Sequence, residues 1–314
     1  MLKAERLGVV LHPKEGHAKF NAGMIKIGER VEMLYRWSES TKVWTGAHTG
    51  LVYKQDYIAR AQLDPSGKLI HDFDEPFIAP FNDWSAEGCQ DPRIVPFEGR
   101  YYIFYTCWDL NCARVGINVT DNFETSEHLG IIPTNEWDKD AFILPERVGG
   151  KIVYIHRIEP DIQIDYFDDF SQMFDPDYWK DYHTKKRERV VIKGVEPWEG
   201  KKVGGSVPPI KTELGWLFCY HGVGLDRDPF CYRAGLAVLD LQNPSKVVAR
   251  LPYPILEPEE PYECEGDVNN VVFPQGMYSY DGYVYLSYGG ADKVVALCRY
   301  EYNELISELN KHRI

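Results

Sequence analysis

The chain has 314 residues, 44% of them hydrophobic and 14% aromatic with 21 Tyr, which is enough apolar material for one large core. A formal charge of −13, from 48 acidic against 35 basic residues, excludes nucleic acid and anionic membrane as partners, because no concentrated basic face offsets the repulsion. The N-terminal MLKAERLGVV has no apolar signal core and no run reaches the roughly 18 apolar residues of a membrane span, so the expected location is cytoplasmic.

Short aromatic and β-branched runs punctuated by Gly, Pro, Asn and Asp mark an all-β chain. In chain order they come in pairs. RVEMLYR (30–36) is followed by YIARAQLD (57–64), and RYYIFYT (100–106) by ARVGINVTD (113–121). KIVYIHR (151–157) precedes PDIQIDYFDD (160–169), GWLFCYHG (215–222) precedes YRAGLAVLDL (232–241), and GYVYLSYGG (282–290) precedes DKVVALCRY (292–300). Strand pairs recurring about 50 to 70 residues apart predict a five-bladed β-propeller, whose blades are small antiparallel sheets packed radially. Gly67, Gly99, Gly149, Gly215 and Gly282 stand where turns precede strands. The last stretch, NELISELNKHRI, reads as a short amphipathic helix through Leu305, Ile306 and Leu309. The expected organisation is therefore a catalytic propeller over 1–302 and a helix over 303–314. The helix either packs on the propeller or contacts a second copy in a homo-oligomer, and the sequence leaves both open.

Seven Cys fit no zinc spacing, and the nine His form no ligand pattern, so no metal site is expected. Cys107, Cys219 and Cys298 lie in apolar runs and read as buried thiols of a reducing compartment.

A propeller gathers its chemistry at strand ends around one mouth of the channel. The residues closing the first strand of each pair are Arg36, Thr106, His156 with Arg157, His221, and Asp292 just beyond the fifth. GCQDPRIV (88–95) adds Asp91, held by Pro92 and followed by Arg93, in the manner of a positioned general acid. Arg157 with His156, Lys202 and His221 are good oxyanion ligands, Arg as a planar fork and Lys as a point charge. Trp37, Trp84, Trp108 and Trp216 read as blade packing or as sugar platforms. Asp83, Asp138, Asp140, Asp161 and Asp165 read as turn or solvated residues.

QDPRIVPFEGRYYIFYT resembles the Asp-Pro-Arg signature of glycoside hydrolase family 130, the inverting β-mannoside phosphorylases. KVGGSVPPIKTELGWLFCYHGV, YRAGLAVLDLQNPSKVVARLPYPILEPEEPYECEGDVNNVVFPQG and YLSYGGADKVVAL resemble the same family in the same order, so the likeness runs over roughly 20 to 300. The resemblance implies a five-bladed propeller. It implies Asp91 as general acid, and Asn21, Arg36, Arg93 and Asp292 at the mannosyl unit. It also implies Arg157, Lys202, His221 and Tyr232 at phosphate. Gln90 departs from the family, where Glu commonly precedes the acid; local charge and sugar preference are what that puts in doubt.

Phosphate is already an anionic nucleophile, so a phosphorylase needs the acid and a cationic pocket but no base, in contrast to inverting hydrolysis. Inorganic phosphate is then a co-substrate and no cofactor is expected. The family's acid relays its proton through a mannose hydroxyl. HRIEPDIQIDY resembles members acting on β-1,2-mannobiose or short β-1,2-mannooligosaccharides more than those cleaving β-1,4 linkages. Glu159 beside the anion ligands keeps a β-mannosidase reading open. A non-catalytic sugar-binding propeller and a furanosidase-type hydrolase are the other classes. Acceptor length is expected to depend on loops 40–56 and 224–231.

Overall fold

The computed structural model describes residues 2–14, 16–42, 51–224 and 231–314, with the side chains of 40–42 and 51–54 outside the description. Most of the two loops expected to set acceptor length therefore lies outside the described residues. Five four-stranded antiparallel units follow one another along the chain. The first comprises His17–Ile27, Arg30–Lys42, Leu51–Leu63 and Leu69–Ile78. The second comprises Gly88–Phe97, Arg100–Trp108, Ala113–Thr120 and Glu127–Ile131, and one parallel bridge, Asp56 to Gly88, joins it to the first. The third holds Asp138–Ile143, Ile152–Ile158, Ile162–Phe167 and Val190–Ile192. The fourth holds Lys202–Gly205, Gly215–Val223, Tyr232–Leu239 and Val247–Arg250, with Ile210–Thr212 also on its second strand. The fifth is Val272–Tyr280, Tyr283–Gly290 and Val294–Glu301, completed from the other end of the chain by Glu5–Leu11.

The five aromatic runs singled out in the sequence form the second strand of each unit, and the runs after them form the third. Three of the tight hairpins have two successive residues with positive φ: Glu98-Gly99, Gly149-Gly150 and Asp281-Gly282. That is the turn whose twist matches paired strands, and Gly at its second position removes the steric cost.

The apolar clusters each span neighbouring units. Leu34 and Ile58 of the first meet Ile94 and Ile103 of the second. Phe104, Tyr154 and Phe218 bring the second, third and fourth into one cluster. Leu217 and Leu236 of the fourth join Val284 and Leu286 of the fifth. Met33 and Tyr35 of the first close against Tyr278 and Tyr285 of the fifth. The second strands of the third and fourth units have both faces covered, as the continuous burial of Ile152–Ile158 and Gly215–Val223 shows.

The C-terminal helix, Tyr302–Lys311, buries Leu305, Ile306 and Leu309 in the cluster shared by the fourth and fifth units. Its apolar face is thus spent within the chain. Between the last two strands of the third unit the chain makes three one-turn helices, Phe170–Met173, Pro176–Trp179 and Tyr182–Lys185. Sequence patterning did not pick these out, because four residues are too few for a helical period.

This insertion settles the place of His156. Neighbouring residues of a strand face opposite ways, so His156 and Arg157 cannot both reach the same cavity. Arg157 does, while His156 turns to the other side and is fully buried. Its Nδ1 lies 2.9 Å from Asp138, its Nε2 3.0 Å from Asp165 and 3.0 Å from the Tyr182 hydroxyl. Asp138 and Asp165, expected to be solvated, are wholly buried as its partners. Burial alone would lower this imidazole, but Asp138 and Asp165 outweigh it and raise its pKa to about 9. A pKa raised on folding stabilises in full below the unfolded value near 6.5 and loses that contribution as pH climbs through the folded value. Unfolding by urea should therefore show roughly 3 kcal/mol less stability at pH 9.5 than at pH 6.5. A flat profile across that window would mean that the imidazole is neutral in the fold.

Candidate active site

The first strands of four units each break register once, between Phe20 and Ala22, Gln90 and Arg93, Lys139 and Phe142, and Pro274 and Gly276. Asn21, Asp91, Asp140 and Gln275 sit in those breaks. The first three have φ of 49°, 55° and 56°, a left-handed conformation that Asn and Asp tolerate better than other residues with a side chain. A bulge takes its residue out of the alternation of the strand and re-aims the side chain. Here it sends Asn21, Asp91 and Asp140 into one cavity.

Gln275 and Arg93 tie these bulges together from beneath. Gln275 Nε2 donates to the carbonyls of Asn21 and Pro92, both at 2.7 Å. Arg93, fully buried, donates to the Ser206, Asp91 and Gly205 carbonyls and to Asp140 Oδ1, all within 3.0–3.1 Å. Expected at the sugar, Arg93 is instead absent from the cavity wall and its donors are engaged by three units. The glycines of KVGGSVPP have a steric reason: a Cβ at Gly204 would run into the His221 ring and the Asp140 carboxylate.

The cavity measures about 300 Å³. Asn21, Arg36, Asp91, Asp292, Arg157, Lys202, His221 and Tyr232 all line it. By their contacts the first four form one group, and the last four, linked through Asp140 and Glu159, another. Eight of the nine site residues named from the sequence therefore share this space. Thr106 is buried elsewhere.

In the first group, Asn21 Nδ2 donates to Asp91 Oδ1 at 2.9 Å, and Arg36 stands 3.8 Å from the same oxygen. Arg36 is itself held by Asp56, through Nε at 3.0 Å and a second nitrogen at 2.9 Å. Gln90, in place of the Glu common in the family, donates to Asp56 Oδ2 at 2.7 Å. A Glu there would set two carboxylates against each other; Gln relieves the Asp56 pair of that repulsion. Burial pushes the Asp292 carboxyl up to about 7, with Arg36 opposing and Asp91 and Asp267 adding to the rise.

The second group is organised by a residue the sequence misassigned. Asp140, expected to be solvated, is buried and lies 2.9 Å from Arg157 Nε, an ion pair without hydrogen-bond alignment. Burial opposes its ionisation, yet Arg157, His221 and Arg93 outweigh burial and hold the carboxyl well below the usual range. Burial would also lower Arg157, but Asp140 and Glu159 keep it above its ordinary value. Glu159 Oε1 accepts from Arg157 at 2.9 Å and from Lys202 at 2.7 Å.

His221 is not a third cation. Burial, joined by Arg157, Arg93 and Lys202, drives its pKa down to about 3 against the pull of Asp140. Ser206 Oγ is 3.0 Å from Nδ1. With Ser206 donating there, a neutral ring carries its proton on Nε2 and serves as a hydrogen-bond donor. Tyr232, packed 5.8 Å from the His221 ring, has its hydroxyl pushed up to about 12 by burial and so remains a donor as well. The arrangement offers two cations and two neutral donors in the same cavity as the Asp91 carboxyl group.

Lys139, Asp140, Trp137 and Glu159 line the cavity too. Of these only Glu159 had been noted in the sequence as a neighbour of the anion ligands, by its nearness to Arg157; Asp140 had been noted as a turn or solvated residue. The cavity wall includes none of Trp37, Trp84, Trp108 and Trp216; Trp216 is in the core and Trp108 packs behind Trp137.

The chain belongs to glycoside hydrolase family 130, whose model, described as beta-1,4-mannooligosaccharide phosphorylase, matches residues 8–311. It is an enzyme of that mannoside phosphorylase family. It is 34% identical to a 1,2-beta-oligomannan phosphorylase of Thermoanaerobacter sp. (strain X514), over 97% of this chain and 99% of the relative. A beta-1,2-mannobiose phosphorylase from the same organism is also 34% identical, over 90% of this chain and 89% of its own. Among solved structures, the β-1,2-mannobiose phosphorylase of Listeria innocua in complex with β-1,2-mannobiose superposes with a TM-score of 0.78 at 24% identity, covering 96% of this chain and 97% of that one.

Proposed function

We propose that this enzyme is an inverting phosphorylase that cleaves β-1,2-mannobiose or short β-1,2-mannooligosaccharides and releases α-D-mannose 1-phosphate. One observation carries the reading: Asp91 shares a single cavity with Arg157, Lys202, His221 and Tyr232. Asp91 is the proton donor. Asn21, Arg36 and Asp292 hold the mannosyl unit, and Arg93 acts on it through the bulges it braces. A phosphate oxygen held by Arg157, Lys202, His221 and Tyr232 attacks C1 as the C1–O bond breaks. The leaving oxygen takes the proton of Asp91, directly or by the sugar-hydroxyl relay of the family. Phosphate brings its own negative charge, so no base and no further cofactor enters. The two relatives at 34% identity support the β-1,2 linkage over the β-1,4 linkage in the family description.

The five units are the blades of a propeller over 1–302, a reading supported by apolar contacts that lead from each unit to the next and from the fifth to the first. Seven free thiols, six of them buried, fit a cytoplasmic setting.

A second reading rests on Glu159: a carboxylate in the cavity beside Lys202 could activate water, which would make the enzyme a β-mannosidase. Incubation with β-1,2-mannobiose, with and without phosphate, decides between them. The expected result is turnover only with phosphate and, by proton NMR at early times, α-mannose 1-phosphate. Free mannose formed equally without phosphate would establish hydrolysis, and a β-phosphate product would rule out inversion.

A further inference from the structure

The cation of the cavity that the mechanism leaves unused is Lys139. Arg36 is paired with Asp56, Arg157 with Asp140, and Lys202 with Glu159. Among the described residues Lys139 forms no ion pair; its ammonium instead stands 5.5 Å from the Trp108 ring centre and 5.9 Å from that of Trp137. Burial lowers its pKa, with Arg157 and Arg36 adding to the fall and Asp91 and Asp140 opposing it, so the amine is poorly hydrated and lies within the field of the proton donor and of the neighbouring cations.

Trp137 is the second unusual feature. It lines the cavity and yet is 50% exposed, an apolar area that the fold leaves uncovered. The ring is not loose. Its Nε1 donates to the Asn111 carbonyl at 3.1 Å, and it packs edge-to-face with Trp108, ring centres 4.8 Å apart at 74°. Both ends of this support come from the second unit, Trp108 ending its second strand and Asn111 lying in the loop to its third, while Trp137 leads into the first strand of the third unit. The pair therefore sits at the seam between the unit that carries Asp91 and the unit that carries Arg157.

A rigid, half-bare indole beside an unpaired amine matches the needs of a hexopyranose. The C–H face of a sugar ring stacks on an aromatic face, and a hydroxyl oxygen accepts from the ammonium. Place matters as much as chemistry. The glycosidic oxygen must come within reach of Asp91, so the departing sugar lies on the flank of the cavity next to the donor and away from the phosphate ligands.

We propose that Trp137 and Lys139, backed by Trp108, form the acceptor subsite: the departing mannosyl unit stacks on Trp137 and hydrogen-bonds through a hydroxyl to Lys139. This rests on the phosphorolytic reading above. It also explains why Lys139 needs no carboxylate, since a paired amine would have less to give a neutral sugar.

The test runs the reaction in the synthetic direction, with α-mannose 1-phosphate as donor and mannose as acceptor. Trp137→Ala and Lys139→Met should each raise KM for mannose about tenfold or more, while KM for the sugar phosphate stays within about twofold. Trp137→Phe should restore most of the acceptor affinity. A rise confined to the sugar phosphate would make Lys139 an anion ligand and overturn the proposal, as would unchanged kinetics in both variants. Trp137→Ala, on a half-exposed side chain, carries the test even if Lys139→Met does not fold. If wild type turns over no mannoside with phosphate, the functional reading fails by itself. The subsite is then read from tryptophan fluorescence titrated with β-1,2-mannobiose: a response in wild type that vanishes in Trp137→Phe retains it, and a response unaltered in that variant removes it.

Discussion

Asp91→Asn should lower kcat for phosphorolysis by roughly three orders of magnitude or more, with the melting temperature nearly unchanged. The substitution keeps shape and removes only the ionisable proton. Asn is at home in the left-handed conformation that Asp91 adopts, and its carbonyl oxygen can still accept from Asn21 at the place Oδ1 now occupies. Arg36 loses a charge partner at 3.8 Å but keeps Asp56. The loss should fall on the chemical step. A β-mannoside with a good phenolic leaving group needs little protonation, so the variant should recover most of its rate on such a substrate. Substantial activity of the variant on mannobiose would remove Asp91 from the donor's role.

Lys202→Ala should raise the apparent KM for phosphate by about ten- to a hundredfold, the size of one lost charge-assisted hydrogen bond, and leave the mannoside KM within about twofold. Lys202 is the right cation to delete. Its side chain keeps 20% of its exposure, so the fold does not depend on it. Arg157, by contrast, is buried against Asp140, and removing it would strand a carboxylate at a cost of about 3–5 kcal/mol, confounding binding with folding. Glu159→Gln is the complement. Its carboxylate now occupies Arg157 and Lys202 through a single oxygen, in competition with any incoming anion. Neutralising it should lower the phosphate KM about threefold or more, since phosphate no longer displaces a charged partner. Loss of all turnover in Glu159→Gln, with phosphate present or absent, would instead favour Glu159 as the base of a hydrolase.

Most of the architecture was legible because strands announce themselves locally. Alternating aromatic and β-branched runs, with Gly at the hairpins, placed the second and third strands of all five units, and the amphipathic spacing of Leu305, Ile306 and Leu309 placed the helix. Eight of nine site residues were legible for another reason: they stand at strand ends or in the Asp-Pro-Arg segment, and a family resemblance supplied their partners. The first strands of the units were hardest to see. Bulges interrupt their alternation, so Asp140 read as a turn or solvated residue, and Lys139 and Trp137 just ahead of it went unnoticed.

What the sequence by itself determined is the all-β class, the fivefold pairing of strands, and the residue types that can donate a proton or hold an anion. Those follow from local periodicity and side-chain chemistry, which each segment carries with it. Only the tertiary structure decided which way each side chain faces and what charge it bears there. It turned His156 away from the cavity that Arg157 enters, put Arg93 beneath the bulges, neutralised His221 while Asp140 stayed ionised, and left Lys139 without a counter-ion among the described residues. Orientation depends on bulge register, and charge depends on burial and on neighbours brought in from other units; no stretch of sequence contains either.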